Sequence, residues 1–233
     1  MDFLTVTQSL LEGFALTCIL FVLTLILSLP LGLIISFCTM SKFKPLKIVF
    51  KVIVWVVRGI PLMLQLFIVY YLPGMLSKTG LNIFGQMDNT LYFKYGIENG
   101  GAFIATLIAF VLNYACYFSE IFRGGIESIP KGQYEAGSVL GLSKNQTFFK
   151  IILPQVIKRI IPSIANEVIT LVKDTSLARV IAMGELIQAA EEIMIIKGVL
   201  WPLLYTGIFY LVFSGLLTIL FNKLEKKLDY YKI

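Results

Sequence analysis

Histidine is absent from the chain, and cysteine occurs only as Cys18, Cys38 and Cys116. The first absence removes the commonest general base and a leading nitrogen ligand for metals. The three cysteines lie within apolar stretches, where they read as packing residues, and no carboxylate cluster has ligand spacing. Neither a metal site nor an external disulfide framework is therefore expected. Charge is scarce as well: 15% of residues are charged and 58% hydrophobic, with a mean hydropathy of +0.84. That balance excludes an ordinary soluble domain and identifies an integral membrane protein. The chain also lacks a G-x-x-x-x-G-K-[ST] phosphate loop and a G-x-S-x-G elbow. It is not expected to bind ATP by that route.

What is present is long apolar sequence. Five stretches, near Phe14 to Cys38, Val49 to Leu72, Ala102 to Phe122, Phe148 to Val172 and Leu200 to Leu220, reach the roughly 20 residues that a helix needs to cross a hydrocarbon core. They predict an all-α membrane protein of five transmembrane helices in one domain, residues 1–233. The first stretch is too long for a signal peptide, is preceded by Asp2 and Glu12 rather than by basic residues, and lacks a small-residue cleavage site. Charge sets the orientation. With the N-terminus outside, Lys42, Lys44, Lys47, Lys51, Arg123, Lys131, Lys144, Lys150, Lys158, Arg159, Lys223, Lys226, Lys227 and Lys232 face the cytoplasm. Asp2, Glu12, Asp88, Glu98, Glu185, Glu191 and Glu192 fall outside, together with Lys78, Lys94 and Lys197. The positive-inside rule thus predicts N-out and C-in. The net charge of +6 is accounted for by anchors against anionic lipid, without nucleic acid.

Polar residues within the spans fall into patterns. Ser163, Asn166, Glu167, Thr170 and Asp174 recur at offsets of three, four, seven and eleven, one face of a helix. Such a stripe either glues helices together or lines a pathway, and an ionisable Glu167 at bilayer depth favours the second reading. In the second span Arg58 and Gln65 stand two turns apart, with Gly59 and Pro61 between them, a combination that loosens a transporter helix and frees backbone groups toward a cavity. Lys173 to Ser176 can interrupt the fourth span, with Thr175 or Ser176 capping a short helix from Leu177 to Ala190. Lys173 and Asp174 can also form no more than a structural ion pair. The expectation is that both breaks face one pathway, where Glu167 and Asp174 meet an amino group or cationic side chain and Arg58 or Lys173 meets a carboxylate. Asn113, Tyr117 and Glu120 form a further stripe, and Glu120 with Arg123 reads as a structural pair near the cytoplasmic end. The longest external connection, Ser77 to Gly101, either caps the helices or contacts a partner, and the acidic segment Glu185 to Lys197 is a competing surface.

The most informative segment is the polar, glycine-punctuated loop at about 131–145. Pro130 and Gly132 mark the start and Gly141 the end of a helix of two to three turns, with small residues that allow close approach to a soluble partner. Glu135, Ala136, Gly137, Gly141, Ile151, Leu153 and Pro154 resemble the EAA loop of ATP-binding-cassette importer permeases, which runs E-A-A, three residues, G, nine residues, I-x-L-P. Gly137 departs from the usual third alanine, at a cost of about 1 kcal/mol in helix propensity. Arg58-Gly59-Ile60-Pro61, with Leu62, Gln65 and Leu66, continues the resemblance, as do Tyr114, Glu120 and Phe122-Arg123-Gly124-Gly125. Ile129 to Gln133, Lys173 to Leu177, Gly13, Thr17 and Leu224 to Leu228 extend it to the polar amino acid branch: the histidine, glutamine, arginine and cystine systems.

The resemblance implies a permease subunit in the bacterial cytoplasmic membrane, paired with a second permease of the same or a homologous kind. Two ATPase subunits binding ATP and Mg and an extracytoplasmic binding protein complete the importer, and the permease needs no cofactor of its own. It further implies a coupling role for Glu135, Ala136, Gly137, Gly141, Leu153 and Pro154. The residues expected at the substrate are Arg58, Gly59, Pro61, Gln65, Asn166, Glu167, Thr170, Lys173 and Asp174. The substrate is expected to be a polar L-amino acid, cationic before glutamine. The alternatives are a self-sufficient secondary transporter or channel, and a scaffold without a pathway.

Overall fold

The computed structural model describes residues 3–77 and 100–228. The connection expected outside the membrane, with Lys78, Asp88, Lys94 and Glu98, lies outside these described residues, as do Asp2 and Lys232. Among the described residues the fold is entirely helical. Its helices are α1 (Phe3–Thr39), α2 (Lys44–Gly59), α3 (Leu62–Ser77), α4 (Gly100–Glu127), α5 (Lys131–Val139), α6 (Lys144–Thr147), α7 (Leu153–Asp174), α8 (Leu186–Lys197) and α9 (Trp201–Leu228).

The core forms around α4, whose Phe110, Tyr114 and Phe118, one turn apart, are fully buried. Small residues let α1 lie close against it. A Cβ at Gly32 would stand 2.9 Å from both the Ala115 carbonyl oxygen and the Phe118 Cβ, so only glycine admits this approach. Thr24, Ser28 and Ser36 continue the same buried face, the small-residue packing by which membrane helices gain van der Waals contact. The opposite surfaces are strongly apolar and exposed, as at Ile26, Ile34, Trp55 and Leu211, the last 74% accessible. On a soluble monomer such a surface would be a liability; against lipid it is the favourable one.

Among the described residues α1, α4 and α9 are long and apolar enough to cross a membrane, and the pair α2 and α3 makes a fourth span if counted together. That pair corrects the expectation of one helix from Val49 to Leu72: its halves are bent by 105°. Pro61 has no amide hydrogen and biases Ile60 to extended backbone, observed at φ −102° and ψ 132°. Arg58 and Gln65 consequently do not share one helix face. The expected span from Phe148 to Val172 is also revised. Ser143 and Gln146 form a reciprocal capping box that starts α6, a π turn follows over Phe148–Ile152, and α7 begins only at Leu153. With Lys158, Arg159, Glu167, Lys173 and Asp174 along its length, α7 is amphipathic and does not reach the apolar content of an autonomous span.

The segment after α7 differs from expectation too. A 3-10 turn covers Thr175–Ile181, and α8 starts at Leu186. Thr175 and Ser176 donate back to the Val172 and Lys173 carbonyls and cap nothing. The cap is Glu185, expected on an external acidic surface but completely buried, whose carboxylate accepts from the Ile187 and Gln188 amides at 2.8 and 2.9 Å. Gly13 and Thr17 of α1 receive this corner. A Cβ at Gly13 would stand 3.1 Å from the Glu185 carbonyl oxygen, and the Leu186 amide donates to Thr17 Oγ1 at 3.2 Å.

Candidate functional site

The elbow between α2 and α3 opens onto a cavity of about 550 Å³, lined on the other sides by α4, α7 and the following turn. Its walls include Arg58, Gly59, Ile60, Pro61 and Leu62 from the elbow, and Asn113, Tyr114 and Tyr117 from α4. Glu167, Thr170, Asp174 and Leu177 complete it. The cavity therefore carries a guanidinium and two carboxylates. Arg58 lies over the Tyr117 ring, 4.9 Å from its centroid, a cation–π arrangement that sets the height of the guanidinium without consuming its edges. Tyr114 donates to Asp174 Oδ2 at 2.7 Å, orienting that carboxylate.

The breaks in the second and fourth predicted spans thus meet at one cavity, which brings together Arg58, Gly59, Pro61, Glu167, Thr170 and Asp174. The other expected residues do not line it. Asn166 and Lys173 are exposed, leaving Arg58 as the cavity's cation. Gln65 braces the elbow, since its amide nitrogen donates to the Val57 and Ile60 carbonyls at 2.7 and 2.9 Å and to Asn113 Oδ1 at 3.2 Å. The carbonyls freed by the elbow are occupied by this amide. Asn113 and Tyr117, part of a stripe in the sequence, and Tyr114, present there only among the motifs, gain their place because α4 packs beside the elbow. Ile60, Leu62 and Leu177 stood in the motifs of the resemblance but not among the expected substrate residues, since apolar side chains at a break carry no charge or hydrogen bond that marks them for a polar ligand.

Toward the C-terminal end of α4, Glu120 and Arg123 pair as expected. Arg123 Nε and Nη2 donate to the two Glu120 oxygens at 3.1 and 2.6 Å, and its Nη1 reaches Glu127 at 2.6 Å. Glu120, Gly124, Arg159 and Ser163 help line a second cavity of about 380 Å³.

The segment at 131–145 is a short helix with a defined stop. Leu142 donates to the Gly137 carbonyl and Gly141 to that of Ser138, each at 3.0 Å, while Gly141 adopts φ +69°. This is the double hydrogen bond of a left-handed glycine terminus. Glu135 and Ala136 are exposed on α5, and the apolar Val139 and Leu140 are 88% and 72% accessible. Gly137 is buried against α6, and a Cβ there would fall 2.6 Å from both Thr147 Oγ1 and Cγ2. The departure from alanine has a local steric cause. Pro154 lies in the first turn of α7, where its missing amide hydrogen costs nothing. Gln155 of α7 donates to Gln133 of α5 at 3.2 Å, tying the short helix to the long one.

Residues 28–230 match the family described as the binding-protein-dependent transport system inner membrane component. The chain belongs to this family. Similar to this inner membrane component is the L-cystine transport system permease protein TcyB of Bacillus subtilis (strain 168), 37% identical over 90% of this chain and 82% of the relative. The arginine transport system permease protein ArtQ of the same organism is 36% identical, over 94% of this chain and 92% of the relative. A crystal structure of an amino acid ABC transporter with histidines contains a chain that superposes with a TM-score of 0.80 at 29% identity, covering 97% of this chain and 99% of that one. The MetNI methionine ABC transporter in an inward-facing conformation shares the fold, with a TM-score of 0.67 at 17% identity over 98% of this chain and 99% of that one. The resemblance carried by Glu135 to Pro154 and by the scattered motifs is borne out by this membership.

Proposed function

We propose that the chain is the permease subunit of an ATP-driven importer for polar L-amino acids in the bacterial cytoplasmic membrane, and that the cavity at the elbow holds the substrate. The observation that carries this reading is the convergence of Arg58, Glu167 and Asp174 on one cavity. A zwitterion requires both signs within a few ångströms, and desolvated charges at such depth need partners. Arg58 meets the α-carboxylate, while Glu167, with Asp174, meets the α-amino group or a cationic side chain. Two carboxylates against one guanidinium favour arginine, lysine or histidine over glutamine. The arginine and cystine permeases among the relatives support an amino acid as cargo.

In this reading the chain spans the membrane five times, N-out and C-in, with α7 shielded from lipid by its neighbours. It works as a pair, with an identical or homologous permease, on two ATPases that bind ATP and Mg. An extracytoplasmic binding protein delivers the substrate. The exposed face of α5, with Glu135 and Ala136 beside Val139 and Leu140, docks the ATPase, and the glycine stop at Gly141 and Pro154 of α7 fix its position. Movement of α5 passes to α7 through Gln133 and Gln155. Twelve residues further along the same helix, about 18 Å, stands Glu167. ATP-driven closure thereby reaches the cavity through one rigid element and switches its access.

The test is reconstitution with the candidate ATPase and binding protein in liposomes, followed by ATP-dependent uptake of arginine, lysine, histidine, glutamine and cystine. Glu167→Gln is expected to lower uptake of the cationic substrate at least about tenfold, the equivalent of 1.4 kcal/mol. Unchanged uptake of every amino acid in this variant would remove Glu167 from the site. Uptake that proceeds without ATP would instead favour a self-sufficient transporter.

A further inference from the structure

Arg58 stands between two carboxylate environments. It lines the cavity assigned to substrate, yet its Nη1 is 3.9 Å from Glu120 Oε2, close enough for attraction and too far for a hydrogen bond. Glu120 has a stronger partner. Both of its oxygens are engaged by the Arg123 fork, a bidentate geometry that compensates its charge. Glu120 therefore attracts Arg58 weakly and can release it without being left unpaired. Tyr117 holds the guanidinium from its face, which keeps Arg58 in place during such an exchange. Glu120 also lines the second cavity, whereas Arg58 lines the first.

We propose that Glu120 is a positioning residue for the substrate site: it holds Arg58 while the cavity is empty and competes with the substrate's carboxylate for it. Arg123 sets the strength of that competition by occupying the Glu120 oxygens. The inference rests on the reading of the elbow cavity as the amino acid site. It makes a prediction that a purely structural ion pair does not, because altering the two ends of the pair moves affinity in opposite directions. Glu120→Gln removes the competitor, and Arg58 then binds a carboxylate more tightly. Arg123→Gln leaves Glu120 without its fork and free to draw Arg58 away, so the carboxylate is bound less tightly.

The experiment is equilibrium binding of radiolabelled arginine and of agmatine, its decarboxylated analogue, to the detergent-solubilised permease–ATPase complex without binding protein. If the wild type prefers another amino acid of the panel, that amino acid and its decarboxylated analogue are used. For the amino acid, Kd is expected to fall about two- to fivefold in Glu120→Gln and to rise by a similar factor in Arg123→Gln, the range of a partly accessible charge pair. Glu120→Asp, which keeps the charge, is expected to stay near wild type. The decarboxylated analogue should share neither shift. Kd values that move in the same direction in both variants, remain unchanged, or shift equally for the analogue would overturn the assignment. If Arg123→Gln fails to fold, the comparison of Glu120→Gln with Glu120→Asp decides alone. Binding of no amino acid by the wild type would bring down the site reading and this proposal together. Normal ATP-dependent uptake with unshifted variants would remove only the role of Glu120.

Discussion

At Gly137 two effects of opposite sign meet. Alanine is the better helix former by about 1 kcal/mol, but its methyl would stand 2.6 Å from two Thr147 atoms and 3.1 Å from Thr147 Cβ, so no rotation of that side chain clears it. Overpacking of this kind costs roughly 1–3 kcal/mol, and the steric effect wins. Gly137→Ala is expected to lower the thermal unfolding midpoint of the purified complex, and Thr147→Ala in the same chain to recover most of the loss. A single variant at least as stable as wild type would show that the packing yields more easily than its geometry implies. The sequence made the glycine visible as a departure, but Thr147, ten residues away, gave no sign of being its cause. Gln65 has the same history: its polarity was legible, while its engagement by the Val57 and Ile60 carbonyls depended on the angle of the elbow.

Among elements, α8 shows how burial reverses a reading from charge. Glu185 carries the sign expected of an external segment, yet it caps the helix from a completely buried position, with the Tyr210 hydroxyl at 3.3 Å and the charge of Arg179 near enough to act on it. Burial pushes its carboxyl up to about 7 from 4.5, against the lowering effects of its hydrogen bonds and of Arg179. Its pKa is higher folded than unfolded, so the associated stability is full below about 4.5 and is lost as pH rises through about 7. Thermal unfolding in detergent should therefore show wild type losing stability from about pH 5 to about pH 8. Glu185→Gln is expected to lack that part of the slope; equal slopes in both proteins would place the titration elsewhere. The apolar periods of α1, α4 and α9 were readable because each exceeds a membrane thickness without interruption. The boundaries of α7 were not, because Ser143 and Gln146 build a separate turn and a π turn intervenes.

For the whole molecule, membership of the inner membrane component family follows from motifs distributed along the chain, and those motifs fall at distinct mechanical points: the elbow, the end of α4, α5 and the start of α7. The proposed coupling can be tested apart from substrate chemistry. Glu135 is exposed on α5, and a surface substitution there should change stability by no more than about 0.5 kcal/mol. Glu135→Arg is expected to reduce co-purification of the ATPase and substrate-stimulated ATP hydrolysis by at least about tenfold, with the unfolding midpoint preserved. Retained ATPase binding and coupled hydrolysis in this variant would locate the transmission surface elsewhere. The candidate site was legible to the extent that its charges had to be buried somewhere together. Which of them met was decided by the rotation of α7, which turns Glu167 and Thr170 inward while Asn166, their neighbour on the expected stripe, stays outside.

The elbow also has an electrical polarity. It places the carboxyl end of α2 and the amino end of α3 on the same cavity wall, two helix termini whose partial charges of about half an elementary unit are opposite in sign. Gln65 quenches the first by donating to its carbonyls, so the amino end of α3 contributes the larger residual field. That contribution resides in the backbone: it has no proton to lose, persists across the pH range in which the fold survives, and favours one end of a zwitterion over the other even when Arg58 is replaced.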